Sequence, residues 1–123
     1  MTRQQLFEHI KVVYGVTEDY PWKNDNVSAV FRHPSNKKWF ALALIISAAK
    51  LGLDTEKQID IVNVKCDPLM IGSIVRENGI YPAYHMNKNY WISIALDGSA
   101  DDEKIKWLLD MSYDTTNTKI KAK

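Results

Sequence analysis

The chain has one cysteine, Cys66, among its 123 residues, so it can form no intrachain disulfide. That scarcity fits a reducing compartment. Glycine is nearly as thin: the five glycines at 15, 52, 72, 79 and 98 all stand apart. No phosphate-cradling loop or dinucleotide fingerprint can be built from isolated glycines, and no nucleophile elbow is present. The histidines at 9, 33 and 85 lack metal-ligand spacing. No metal and no cofactor are therefore expected, and no set of residues converges on a catalytic centre, so the chain is read as non-enzymatic. Long apolar runs are missing as well. The strongest, residues 39–49, falls short of the ~20 residues that span a bilayer. The first ten residues lack the apolar core of a secretory leader, so a cytoplasmic protein with no membrane partner is expected. An excess of one charge is also absent. Residues 1–60 carry 8 basic and 7 acidic groups, residues 61–123 carry 8 and 8, and the net charge is +1. A strong non-specific grip on nucleic acid needs many Lys and Arg at phosphates; only local basic patches are available here.

What is present suits one globular domain. The apolar share of 46% and the charged share of 25% are ordinary for a packed protein. A chain of this length buries roughly two thirds of its unfolded surface and needs no covalent staple. Residues 1–114 read as the domain and 115–123 as a polar tail that frays.

Residues 2–13 have helical spacing, with Leu6, Ile10 and Val13 on one stripe. Thr2 and Gln5 stand at capping-box distance, and Gly15 follows as a stop. Tyr20-Pro21-Trp22 is a loop in which Pro21 forces Tyr20 to extend. Residues 27–32 predict a short strand, 33–36 a turn, and 38–47 a longer strand apolar on both faces, hence central in a sheet. Residues 48–58 read as a long exposed connection. Residues 59–66 alternate: Val62, Val64 and Cys66 take one side, Asn63 and Lys65 the other. Asp67-Pro68 opens a helix with a cap and a first-turn proline. Met70, Ile71, Ile74 and Val75 form its inner face, and Gly79 is expected to end it. A last helix, from 99 or 101 to 113, presents Ile105, Leu108, Leu109 and Ser112 inward.

The stretch 79–98 between these helices reads as a hairpin around a two-residue turn, Asn87-Lys88. Position 84 then faces 91, and 85 faces 90. Tyr84 and Trp91 share the uncovered face of the sheet with Pro82 and Ser93. Ala83, His85, Tyr90, Ile92 and Ile94 take the face under the helices. A three-residue loop would undo this pairing.

PAYHMNKNYW, with VKCDP at 64–68 and SYD at 112–114, resembles the MmcQ/YjbR family of small bacterial proteins. Tyr20-Pro21-Trp22 is similar to that family's early aromatic-proline loop, and Lys38-Trp39-Phe40-Ala41 to one of its strands. The match runs in order over nearly the whole chain. Tyr90 stands where the family often has His, Trp22-Lys23 where Phe-Gly is usual, and the 48–58 connection is longer. The resemblance implies an α+β two-layer sandwich with an antiparallel sheet in the order α-β(3)-α-β(2)-α, likened to CyaY/frataxin-type and secretion-chaperone-like folds. The residues give the same element order unaided. The resemblance also implies DNA binding through a double wing of hairpins, which the residues alone do not reach.

Two functions are weighed. In the first, Arg32, Lys37, Lys38, Lys65 and Lys88 touch phosphates while Tyr84 and Trp91 stack on bases. In the second, the uncovered aromatic face binds a protein or small molecule, self-association included, in a monomer or weak homodimer. The bland alternative for the aromatic pair is cross-strand packing alone. Pro21, Trp22, Cys66, Asp67, Pro68, His85 and Tyr113 belong to the family motifs without an assigned role. Cys66 reads as a buried structural thiol, and His85 as a strand histidine bonded inside the fold.

Overall fold

A computed structural model describes residues 1–117. Helix α1 (Arg3–Tyr14) starts at Thr2, whose hydroxyl accepts from the Gln5 amide while the Gln5 side chain accepts from the Thr2 amide. Gly15, at φ 68°, ends it in the left-handed region. Strands β1 (Ala29–Arg32) and β2 (Trp39–Ser47) form the first hairpin, and a 3₁₀ turn (Ala48–Leu51) leads on to β3 (Gln58–Lys65). The 48–58 connection is therefore partly ordered, and Ala48 in it is buried. Helix α2 (Pro68–Ile74) is capped by Asp67, whose carboxylate accepts from the Leu69 amide. Strands β4 (Ile80–Pro82) and β5 (Trp91–Ala95) and helix α3 (Asp102–Thr116) follow.

The sheet is antiparallel throughout, in the order β1-β2-β3-β5-β4. β2 is paired on both edges as expected, although the middle place belongs to β3. Phe31, Ala41, Val62, Val64, Ile80, Ile92 and Ile94 join Leu6 and Ile10 of α1, Ile74 of α2, and Ile105, Leu108 and Leu109 of α3 in one buried cluster. All three helices therefore load the same face, as one apolar stripe per helix requires.

Four expectations are corrected. α2 ends at Ile74, so Gly79 does not cap it. Gly79 does adopt φ 79°, and a Cβ there would lie 2.6 Å from the Ala100 amide nitrogen; this position needs glycine for close approach as well as for its dihedral. α3 runs through Thr116, so Thr115 and Thr116 are helical; residues 118–123 of the expected tail lie outside the described residues. The hairpin register differs: Pro82 pairs with Ile92 and Tyr81 with Ser93, one residue away from the expected pairing. The connection spans residues 83–90. Asn87 causes this. Its side chain accepts from the Asn89 amide and its carbonyl from the amides of Tyr90 and Trp91, closing a wider turn than two residues allow. Finally, Asn63 points away from the helices as expected but is fully buried.

A β-bulge at Phe40 shapes the start of β2. Phe31 pairs with Ala41 and Arg32 with Trp39, so Phe40 is skipped. Phe40 and Ala41 both enter the core, where Phe40 meets the rings of Phe31, Tyr14, His33 and Tyr113. Ser112 of α3 repairs the ladder. Its hydroxyl accepts from the Lys65 amide and donates to the Phe40 carbonyl, spanning β2 and β3 where their direct pairing stops. Thr116 donates back to the Ser112 carbonyl and shares a 2.7 Å hydrogen bond with buried His33. This explains the serine and tyrosine of the SYD motif: Ser112 joins strands and Tyr113 packs on Phe40 and His33.

His33 makes stability depend on pH. Burial lowers its pKa from the ordinary 6.5, only partly offset by a hydrogen bond to the Tyr113 backbone. The unfolded chain thus takes up this proton more readily than the folded one. The stabilisation is intact above about 6.5 and is lost as pH falls through the lower folded value. The urea midpoint is expected to fall between pH 7.5 and 5, and to fall less in His33→Gln. His9, lowered mainly by burial, contributes in the same direction, so an equal slope in His33→Gln would reassign the effect.

Candidate functional site

The face of the sheet away from the helices is not bare. Its central row, Val30, Leu42, Asn63 and Ser93, is buried by two loops. One is residues 83–90. The Asn63 side-chain amide donates to the Tyr84 carbonyl at 2.8 Å, Ser93 donates to Asn63 Oδ1, and the Tyr84 amide donates to the Ser93 hydroxyl. Two buried polar side chains thus hold both backbone groups of Tyr84, and each is satisfied in return. The other loop is residues 20–28. Asp25 folds it by accepting from the amides of Val27 and Ser28, each at 2.9 Å. Arg3 of α1 donates to the Val27 carbonyl and ties the loop to the helix layer. The Asp19–Val30 bridge and an Asp19–Arg32 ion pair at 3.0 Å anchor its beginning.

Between the loops lies a groove of about 510 Å³, lined by Trp22, Asn24, Asp25, Ser28, Trp39, Leu42, Leu44, His85 and Met86. That is the size range of small-molecule sites, about 300–1,000 Å³. The indoles of Trp22 and Trp39 meet edge to face, with centroids 5.8 Å apart and planes at 80°, a favoured aromatic geometry. Trp22 remains exposed, and Arg32 lies over the other indole, 5.7 Å from the Trp39 centroid. His85 has φ 61°, a left-handed backbone that a non-glycine residue adopts at some cost. Lys37, in the 33–38 turn and outside the groove, shares this conformation at φ 64°. Hydrogen bonds from Ser28 and Val27 hold the Asp25 carboxyl below its ordinary pKa, so it is ionised at neutral pH. Among the described residues that line the groove, none is Lys or Arg.

His85 therefore lines the groove, contrary to the expectation that it sits under the helices. Tyr90, expected under the helices too, is exposed, and Pro82 pairs with Ile92 on the helix-facing register. Tyr84 packs its ring 4.0 Å from that of His85. Trp91 does face away from the helices, half-buried opposite Lys65, but it is outside the groove. Cys66 is buried and its thiol is pushed up by burial, which suits a packing role. Arg32 is engaged by Asp19 and Trp39. The antiparallel registers put the 33–38 turn, the Lys65 end of β3 and the 83–90 loop at the same end of the sheet. Lys37, Lys38 and Lys88 are exposed there.

Sequence reasoning missed Asn24, Asp25, Ser28, Trp39, Leu42, Leu44 and Met86 as groove residues, and treated Trp22 only as part of a motif. The Trp39 signal was hidden by the bulge: Trp39 and Leu42 are three apart and fall on opposite faces under strict alternation. The bulged Phe40 brings them onto one face.

Among the described residues, no group of three or more His, Cys, Asp or Glu could hold a metal ion. None of their helices is long and apolar enough to cross a membrane. Residues 12–115 match the family model described as YjbR. Uncharacterized protein YyaQ of Bacillus subtilis is 40% identical over 116 residues, covering 94% of this chain and 98% of that protein. Uncharacterized protein YjbR of Escherichia coli is 34% identical over 53 residues, 42% of this chain and 45% of that one. A Pseudomonas syringae protein of known crystal structure superposes with a TM-score of 0.93 at 39% identity, covering 95% of this chain and all of that one. A Deinococcus radiodurans protein shares the fold alone, with a TM-score of 0.70 at 24% identity, covering 99% of this chain and 83% of that one.

Proposed function

The chain belongs to the YjbR family, and on that premise we propose that it is a non-enzymatic binding module whose ligand lies in the groove between the 20–28 and 83–90 loops. One observation carries the reading. A domain that shields its other sheet face with three helices holds an exposed indole, a second indole and a strained histidine around one concavity. Aromatic anchors in a partly apolar cleft are the usual basis of ligand recognition. The test is a fragment screen by ligand-observed NMR. Hits are expected for the native protein, and Trp22→Ala weakens them by about tenfold or more, the cost of losing an aromatic anchor. Because Trp22 is exposed, the urea midpoint should barely move. Hits that bind Trp22→Ala unchanged would remove the groove from consideration.

DNA binding is the second reading, supported by the lysines gathered at one end of the sheet. Lys37, Lys38, Lys65 and Lys88 would contact phosphates, with Tyr84 and Trp91 beside them. Arg32, already paired, contributes little. Binding to generic duplex should then fall steeply with salt, and its absence at about 50 mM salt would end this reading.

A further inference from the structure

We propose that the groove selects small organic cations: an amine or alkylated ammonium carried on an apolar or aromatic body. The inference rests on the groove being the ligand site and adds the charge of the ligand to it.

Three features converge. The first is the sign of the lining. Among the described lining residues Asp25 is the only acidic one and none is Lys or Arg. The charge of Arg3, behind the loop on the Val27 carbonyl, reaches Asp25 but is shared with Asp60 at 3.9 Å. The nearby guanidinium of Arg32 is already matched by Asp19 at 3.0 Å. The second is the way Asp25 is held. Oδ1 accepts both loop amides, at 2.9 Å each. The carboxylate is thus fixed by backbone and needs no rearrangement to meet a ligand. The third is the pair of indoles. Two rings at 80° form two walls of a corner. Electron-rich ring faces attract a cation within about 6 Å, tryptophan most strongly. Trp39 already does this for Arg32 in the chain itself. Trp22, on the open wall, is 39% exposed, and no cation of the protein lies over its ring among the described residues. Leu42, Leu44 and Met86 would take the apolar body of such a ligand.

The groove is bounded by a loop on each side and lies on a sheet face rather than along a sheet edge. A free small molecule fits that shape better than an added peptide strand, which needs unpaired edge groups.

The experiment compares three probes of similar size: benzyltrimethylammonium, neutral benzyl alcohol and anionic phenylacetate. The indole N–H signals of the full chain are followed by NMR. Benzyltrimethylammonium is expected to shift the Trp22 and Trp39 indoles, and to bind about tenfold or more tighter than either other probe. Asp25→Asn keeps an oxygen to accept the two amides, removes the charge and weakens the contact with the Ser28 side chain. It should erase most of the preference while lowering the urea midpoint only slightly, since Asp25 is held by bonds within one exposed loop. Trp22→Ala should weaken the cation more than the alcohol. Equal binding of all three probes at the same indoles would overturn the cation assignment and leave the groove as a ligand site. Tighter binding of phenylacetate, or an Asp25→Asn variant with undiminished preference, would overturn it as well. No shift with any probe would overturn both.

Discussion

Phe40→Ala destabilises the fold by about 3–5 kcal/mol, the usual loss when a buried aromatic ring is truncated. Phe40 is fully buried and touches four other rings. Those rings come from α1, β1, the turn after it and α3, so the vacancy opens where all the layers meet and cannot close by moving one side chain. The bulge also depends on this ring, because burying Phe40 beside Ala41 is what holds the extra residue in place. Phe40→Leu, which keeps most of the volume, should cost less than half as much. Urea unfolding by circular dichroism measures both. A loss under about 1 kcal/mol for the alanine variant would mean that the aromatic cluster is not the keystone of this end of the sheet.

Asn63→Ala should lower stability by about 2–4 kcal/mol, because it leaves one buried and one part-buried partner unmatched. The Tyr84 carbonyl loses its donor and the Ser93 hydroxyl its acceptor. The effect should be local as well as global. Amide exchange at residues 84–86 should quicken more than exchange in β2 or α3, since the 83–90 loop is the part set free. Asn63→Asp keeps the acceptor for Ser93 but loses the donor to Tyr84, and adds a buried charge, so it should not rescue. Uniform loss of protection across the sheet, with no excess in the loop, would contradict the pinning role. With the loop loosened, His85 and Met86 no longer wall the groove, and ligands found there should bind more weakly.

The fold was legible because its signals are local. Thr2, Gly15 and Asp67 announce helix ends through chemistry that acts within one turn. The alternation of Val62 and Val64 against Asn63 was read with the right orientation. Its depth was not, because what buries Asn63 is a loop that it meets 21 residues further on, at Tyr84. The hairpin register failed for a similar reason. Asn87-Lys88 resembles a tight turn in isolation, yet the Asn87 side chain competes by capping Asn89. A single-residue change in pairing sent His85 to the groove instead of the core. The groove itself was the least legible part. It is assembled from the 20–28 loop, the bulged start of β2 and the 83–90 loop, and no window of sequence contains two of its walls at recognisable spacing. The family resemblance named Pro21, Trp22 and His85 without a reason for them; Trp22 and His85 both line one groove.

The most direct test is methyl and indole chemical-shift mapping of the full chain with the hits of the fragment screen. Shifts gathered at Trp22, Trp39, Leu42, Leu44 and Met86 are the expected result, with Leu69 and Trp107 on the helix layer silent. Shifts that cluster instead on the helix layer, or around Lys37, Lys65 and Lys88 at the end of the sheet, would contradict a ligand site in the groove.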